Sequence, residues 1–570
     1  MISALVYSTL ALTQAGLALA APEPMPTSMA RGVLPRFLRE AHMLPERGIM
    51  EDGVITMPVR RTKGQGRKAK RQNIVQVPIA DDGGDEDYGI ALNIGGQTLT
   101  FLLDTGSSDL WAASKSCAGP SGESCVTDKS IPLYSPTSTF QNLSQPLILN
   151  YGTSDDETYN DGTIGTDNVT LAGMTQSQQP FGVITTGNDP LSFSGLFGVG
   201  FPFISNILGE AVSTALNAST GTQITGESFV STYMQAMASS APLLNRLADA
   251  GKIKSPMYTL TLQREVPTSV GSNAGVLTIG GLPSGISNDS LTWVPVRQYD
   301  SSLVLLSNLA TPVNKQASPT LAKDIESIIP TLPMVWETAI DGLYLEGTLL
   351  KNSSVNTTFT NQYGLSALFD SGTTDLLLTA NDIQTLQGVS QSGASTPCAV
   401  PLNLAIGIAG KRFPINPFDI WGPGGGSTSA NCTPSLGPND PPTVGQAFSY
   451  LLGDPFFKSN LVAFYWGNLT DQASDPARIG FLSTTNAQEA DSTFSSFWKS
   501  VGTTLSFQTA NAVPTYTTIN VANPVSAGTA AASAASSSVS SKSGATSVMM
   551  TGLGTTFSAT MAICAILSLL

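Results

Sequence analysis

One pattern occurs twice in this chain and limits its possible architectures more than any other feature. Phe101-Leu-Leu-Asp104-Thr-Gly-Ser-Ser-Asp-Leu-Trp111 is answered in the second half by Ala367-Leu-Phe-Asp370-Ser-Gly-Thr-Thr-Asp-Leu-Leu377. Each copy is an apolar strand, an Asp, a hydroxyl residue, a Gly, two more hydroxyl residues, then Asp-Leu. A bare D-[ST]-G tripeptide arises by chance about once in a chain of this composition. The full pattern at matching places in two halves implies duplicated lobes related by an approximate two-fold axis.

The motif has a physical purpose. An Asp at the end of an apolar strand is costly to ionise unless hydrogen bonds stabilise the charge. The Gly permits a tight turn, so that backbone N–H groups and neighbouring hydroxyls reach the carboxylate. Two such loops meeting at a dyad bring Asp104 and Asp370 together. Like charges that close share a proton rather than both ionising. The ionised member then polarises a water while its protonated partner activates a carbonyl, which is peptide hydrolysis without a covalent intermediate.

Around the two copies, from residue 72 to about 485, short β-rich runs alternate with Gly, Asn, Asp and Pro turns. The fold class expected is mostly β and bilobal, with antiparallel strands. Helical pattern is sparse, and Ser228–Ala250 is its clearest amphipathic stretch. The net charge of −14 argues against a nucleic-acid surface. His42 is the only histidine and lies in a basic segment, residues 21–71. Removal of that segment leaves no imidazole, so Ser-His-Asp and Cys-His catalysis and His-based zinc sites are excluded. No metal and no cofactor is expected.

The termini point to the secretory route. Residues 1–20 are a short apolar run ending in Ala18-Leu19-Ala20, which reads as a signal peptide. The basic segment 21–71 ends in Arg67-Lys68-Ala69-Lys70-Arg71 and reads as a propeptide lying across an acidic cleft until a processing protease cuts after Lys70-Arg71. The apolar tail Phe557–Leu570 lacks a following basic stop. With the small triplet Ser543-Gly544-Ala545 it matches a glycosylphosphatidylinositol (GPI) signal, Ser543 being the attachment site. The expected division is therefore signal 1–20, propeptide 21–71, N-terminal lobe 72–275, C-terminal lobe 276–490, a Ser/Thr/Ala-rich stalk 491–543 and a removed signal 544–570. Sequons at Asn142, Asn168, Asn217, Asn288, Asn352, Asn356, Asn431 and Asn468 fit passage through that route. Cys117 and Cys125 enclose a short loop, Cys398 and Cys432 a longer one, and Cys564 falls in the tail. Two local disulfides are the simplest pairing, though four cysteines permit three connectivities.

Over residues 85–485 the chain resembles the pepsin family of aspartic proteases, and its ends resemble those of the GPI-anchored fungal yapsin group. Tyr151-Gly152-Thr153 resembles the family's flap tip. Gly195-Leu196-Phe197-Gly198 and Leu451-Leu452-Gly453-Asp454 resemble the segments that pack beneath each catalytic loop. Trp293-Val-Pro-Val, Trp336 and both cysteine pairs also fall where the family has them. The resemblance implies a catalytic pair Asp104 and Asp370, with Ser107 and Thr373 bonded to the outer carboxylate oxygens. Thr105 and Ser371 would link the two loops, and Tyr151 would close over substrate with Trp111 supporting its hydroxyl.

Two stretches depart from the family pattern. The run Ser154-Asp155-Asp156-Glu157 after the flap tip is either a solvated loop or a selector of Lys or Arg beside the scissile bond. The segment Ala310–Pro333 is longer than a minimal pepsin needs and has no functional account from sequence. The expected protein is a secreted, GPI-anchored aspartic endopeptidase, a monomer with polypeptide substrates, at the plasma membrane or cell wall. The alternatives are a silent binding module on the same fold and a wall-remodelling glycosidase, which also uses paired carboxylates.

Overall fold

The computed structural model describes residues 49–51, 54–62 and 87–500, except 127, 153–156, 189–190, 219–222, 264–272, 311–316, 351–363, 390–395, 398–400, 423–430 and 443–447. The predicted signal, Lys70-Arg71, most of the stalk and Ser543 lie outside the described residues. So do Thr153, Asp155, Asp156, Asn352, Asn356 and Cys398.

In the N-terminal half, β1 (Val54–Thr62) is followed by β2 (Asp87–Ile94) and β3 (Gln97–Asp104). Gly95 and Gly96 join the last two with φ of +58° and +87°, the two-residue turn whose twist suits a hairpin. Along β3, Leu99, Phe101 and Leu103 point into the core, and the strand ends on Asp104. After β4 (Leu110–Ala118), the long strands β5 (Gln141–Tyr151) and β6 (Thr158–Leu171) form a hairpin whose closing pair is Tyr151 opposite Thr158. β7 (Met174–Gly187) returns alongside, and β8 (Gly195–Gly198) inserts parallel to β3 and antiparallel to β4, which itself runs parallel to β7.

Helices are more numerous than the sequence pattern suggests. α1 (Asn206–Ala218) and α2 (Gly226–Ser240) pack together on the N-terminal lobe. A capping box starts α2: Ser228 N donates to Thr225 Oγ1 at 3.3 Å and Thr225 N to Ser228 Oγ at 2.9 Å. The predicted stretch Ser228–Ala250 is two helices rather than one. Pro242 has no N–H and holds Ala241 extended (ψ 159°), so α2 stops and a short helix, Leu243–Asp249, begins again.

Three strands follow: β9 (Met257–Leu262), β10 (Asn273–Ile279) and β11 (Thr292–Pro295). The long segment anticipated around Ala310–Pro333 is a helical insertion. It leaves through β12 (Gln298–Asp300), forms α3 (Ser301–Ser307) and α4 (Leu321–Ile328), and returns through β13 (Thr331–Pro333), which pairs with β12. Its body rests on the N-terminal lobe, where Ser318 N donates to Ile224 O at 3.0 Å and α4 packs against α2.

The C-terminal half repeats the topology of the first. β14 (Glu337–Ala339) pairs with β15 (Ser366–Phe369), the strand that leads to Asp370. β16 (Leu376–Leu378) runs parallel to β17 (Leu436–Pro438). β18 (Tyr450–Leu452) is parallel to β15 and antiparallel to β16, as β8 is to β3 and β4. β19 (Asn460–Tyr465) and β20 (Arg478–Ser483) then complete a sheet shared by both halves, in the order β11-β20-β19-β9-β10-β1. The fold is mostly β, with two matching lobes.

Two elements lie at the expected boundaries. β1, within the expected propeptide 21–71, is a sheet strand with Ile55, Met57 and Val59 fully buried. The stalk boundary at 490 falls inside a helix, α5 (Ala487–Ser500), whose Phe494 is buried 4.9 Å from the Phe418 ring. No helix among the described residues is long and apolar enough to cross a membrane.

Candidate active site

The two D-[ST]-G loops meet at the junction of the lobes with matching hydrogen bonds. In the first, Gly106 N donates to Asp104 Oδ1 at 2.7 Å and Ser107 Oγ donates to Oδ2. In the second, Gly372 N donates to Asp370 Oδ1 at 2.8 Å and Thr373 Oγ1 donates to Oδ2 at 2.7 Å. Each glycine lies under the opposite carboxylate. A Cβ on Gly106 would stand 2.5 Å from Asp370 Oδ1, and one on Gly372 would stand 2.6 Å from Asp104 Oδ1 and 3.2 Å from Asp370 Oδ1. Only a residue without a side chain permits this approach.

Behind the carboxylates the hydroxyls of Thr105 and Ser371 exchange bonds across the lobes. Thr105 Oγ1 donates to Phe369 O at 2.8 Å and accepts from Ser371 N at 2.9 Å; Ser371 Oγ donates to Leu103 O at 2.7 Å and accepts from Thr105 N at 3.2 Å. Both side chains are buried, so each bond is made away from competing water. Below lies an aromatic seam in which Trp336 contacts Phe201 (4.2 Å between ring centroids), Phe464 (5.0 Å) and Trp466 (6.1 Å). Phe369 N donates to Trp336 O and Val199 N to Asp104 O, so this core fixes both loops.

The electrostatics follow from the burial. Asp104 is 5% exposed. That burial, the Asp370 charge and a hydrogen bond to Asp370 push its carboxyl well above the usual range, against the bonds from Ser107 and Gly106 that favour the anion. Two carboxyls this close therefore favour sharing one proton over both ionising. At the end of the β5–β6 hairpin, Trp111 Nε1 donates to Tyr151 OH at 2.8 Å. Burial, then the charges of Asp109 and Asp104, push the Tyr151 phenol well up, so it stays neutral. Gly152 follows with φ +93°, and Glu157, the described member of the acidic run, is exposed.

Asp109 recurs in both copies of the motif, as Asp375 in the second, and the structure shows what it does. Its Oδ1 accepts from Ser205 Oγ at 2.6 Å and Ile207 N at 3.2 Å, and its Oδ2 accepts from Asn206 N at 2.8 Å. It thus ties the first loop to the start of α1, which also touches the hairpin strand β5. The counterpart Asp375 is pushed up by burial, with the nearby Lys458 charge acting in the opposite direction. The repeat of the Asp was the available signal; its partners are too distant in sequence to read.

The remaining predicted residues are peripheral. Cys117 and Cys125 form a disulfide. Cys432 lies on a strand whose backbone pairs with Thr396, two residues before Cys398. Asn142, Asn217, Asn288 and Asn468 are exposed and Asn168 is half-buried; the side chain of Asn431 is outside the described set. Among the described residues no group of three or more His, Cys, Asp or Glu is placed to hold a metal ion.

Comparison with known proteins agrees with this geometry. A probable aspartic-type endopeptidase of Aspergillus fumigatus is 27% identical over 399 residues, covering 66% of this chain and 76% of that protein. Major aspartyl peptidase 1 of Cryptococcus neoformans is 27% identical over 263 residues, 45% of each chain, so the match spans under half of that relative. Sheep chymosin is 23% identical over 398 residues, 67% of this chain and 79% of that protein. The sequence profile described as eukaryotic aspartyl protease matches residues 87–473, a span that contains both loops, the hairpin and the aromatic seam. The chain belongs to the eukaryotic aspartyl protease family and, by that membership, is a peptide-bond hydrolase.

Proposed function

We propose that this chain is a secreted, zymogen-processed aspartic endopeptidase, held at the cell surface by a GPI anchor on Ser543, that cleaves polypeptides at acid pH. The observation that carries the reading is the pair of mirrored carboxylate cradles, each with its glycine beneath the other's Asp. Asp104 and Asp370 are the catalytic pair. The ionised member takes a proton from water as its oxygen attacks the scissile carbonyl carbon, while the protonated member hydrogen-bonds the carbonyl oxygen. The tetrahedral intermediate then breaks its C–N bond, the leaving nitrogen takes a proton, and the pair again holds one proton.

Ser107 and Thr373 hold the outer oxygens, and Thr105 and Ser371 keep the loops in register. Tyr151, oriented by Trp111, closes with Gly152 and Thr153 over the substrate. Cleavage after Lys70-Arg71 by a separate protease produces the active form, as in the yapsin-like reading of the termini. Tyr151, Leu102 and Leu191 pack against an apolar cluster that includes Leu196. Asp155, Asp156 and Glu157 are the proposed selectors of Lys or Arg; paired peptides with Arg or Leu at the cleavage position test this, and no preference for Arg retires it.

The central test is hydrolysis of a denatured protein at acid pH by the secreted chain and by Asp104→Asn. Turnover in the first and its loss in the second support the reading. A wild-type chain that binds peptides without turnover indicates the silent module, and an activity maximum above neutrality overturns the dyad. Release from cells by a phosphatidylinositol-cleaving phospholipase tests the anchor.

A further inference from the structure

A buried ion pair closes the mouth of the helical insertion, and the mechanism above does not use it. Arg297, immediately before β12, donates from Nε to Glu337 Oε1 at 2.6 Å, and its backbone N donates to Glu337 O at 2.8 Å. Glu337 opens β14 and its side chain is fully buried, while that of Arg297 is 11% exposed. The same carboxylate accepts from Tyr299 OH on β12 and from Ser366 Oγ at 2.5 Å. Ser366 is the first residue of β15, the strand that ends next to Asp370. Glu337 stands opposite Leu368 in the β14–β15 register, which puts Glu337 and Ser366 on one face. One carboxylate, itself on the strand that follows the insertion, therefore binds the entry foot of the insertion and the strand that carries the second catalytic Asp.

The far end of the insertion is held by the other lobe. Asn308 Nδ2 donates to Tyr233 OH of α2 at 3.2 Å. A Cβ on Gly209 of α1 would lie 1.8 Å from Asn308 O, and one on Gly226 of α2 would lie 2.6 Å from Asp324 Cβ of α4. Contacts this close need glycine on the helices and leave the insertion no room to slide.

We propose that Glu337 is a positioning residue for Asp370: it fastens the insertion, gripped at its tip by the N-terminal lobe, to the strand that delivers Asp370, and so sets the separation of the two carboxylates. This rests on the dyad reading given above. A buried carboxylate with three donors from two segments, residues 297–299 and β15, holds its neighbours in one arrangement, and its loss leaves the Arg297 guanidinium buried without this partner.

The spacing of the dyad has a direct readout in the width of the pH–rate bell, because that width reports the coupling of the two ionisations. At an effective dielectric constant of about 20, each ångström added near a separation of about 3–4 Å weakens the coupling by about one pH unit. In the mature secreted enzyme, Glu337→Ala should narrow the bell by about half a unit or more and lower kcat about ten-fold, with KM within about two-fold. Ser366→Ala removes only the link to β15 and should narrow the bell in the same sense with a small change in Tm; it decides the matter if Glu337→Ala does not fold. An unchanged bell width in Ser366→Ala, or in folded Glu337→Ala with only a lower Tm, overturns the proposal. Asp104→Asn, assayed alongside, separates the two readings. If it retains turnover, the dyad reading itself has failed; if it is inactive while both variants keep the full bell, only the role of Glu337 is lost.

Discussion

Ser107→Ala offers a quantitative probe of the proton shared by the dyad. The substitution deletes one bond, from Ser107 Oγ to Asp104 Oδ2, and leaves the 2.7 Å bond from Gly106 N to Oδ1. The carboxyl is 5% exposed, so water replaces the lost donor poorly. A hydrogen bond to a charged group contributes about 1.5–3 kcal/mol. At about 1.4 kcal/mol per pH unit, its loss corresponds to a shift of about one to two units. The bond favours the anion, so without it Asp104 holds its proton more tightly, and the second ionisation of the pair moves to higher pH. That ionisation is the alkaline limb of the activity bell. The assay is kcat/KM for one peptide measured across the acid and neutral range, with Tm recorded at each pH. A limb that stays in place or moves to lower pH in a folded variant refutes the reasoning.

Two further substitutions test the geometry and the acid stability of the fold. Gly372→Ala places a methyl 2.6 Å from Asp104 Oδ1, so the carboxylates must separate; kcat should fall at least about a hundred-fold with a modest loss of Tm, and wild-type kcat would mean the loops are not in contact. Burial pushes the Asp167 carboxyl up, but bonds from Thr139, Tyr134, Asn168 N and Thr137 outweigh it and hold the carboxyl below its usual value. A depressed folded pKa contributes stability above the unfolded value of about 3.9 and loses it as pH falls. Asp167→Asn should therefore cost about 1–2 kcal/mol near pH 6 and progressively less toward pH 2, and equal Tm losses at both pH values would contradict that account.

The two D-[ST]-G loops were legible because everything they need is local. Strand, Asp, hydroxyl and glycine are consecutive, and the duplication supplied its own control. Tyr151 was placed at a hairpin end by the family resemblance, and it does close the β5–β6 pairing opposite Thr158. The helices were harder to see. α1 is rich in small residues, and the clearest stretch hid the interruption at Pro242. The insertion showed only as excess length, because its apolar residues Leu321 and Ile325 pack with elements far away in sequence. Arg297 and Glu337 carried no motif; a buried pair between distant segments becomes visible only when the chain has folded. The contact of Phe494 with the Phe418 ring was likewise not legible, because the two rings lie 76 residues apart.

The place of Val54–Thr62 in the shared sheet would tie the proposed maturation to solubility. β1 bonds to β10 on one side, from Asn273 to Ile279, and to β2 on the other, from Asp87 to Gly89. A cut after Arg71 severs the chain but breaks none of those pairings, so the strand remains as a non-covalent passenger until something displaces it. If it leaves an empty slot, two rows of unpaired amides and carbonyls open beside the apolar contacts of Ile55, Met57 and Val59. Such a slot is a template for a strand from another molecule. A cleaved chain with an unfilled slot would then associate through it, and the slot would need a new occupant.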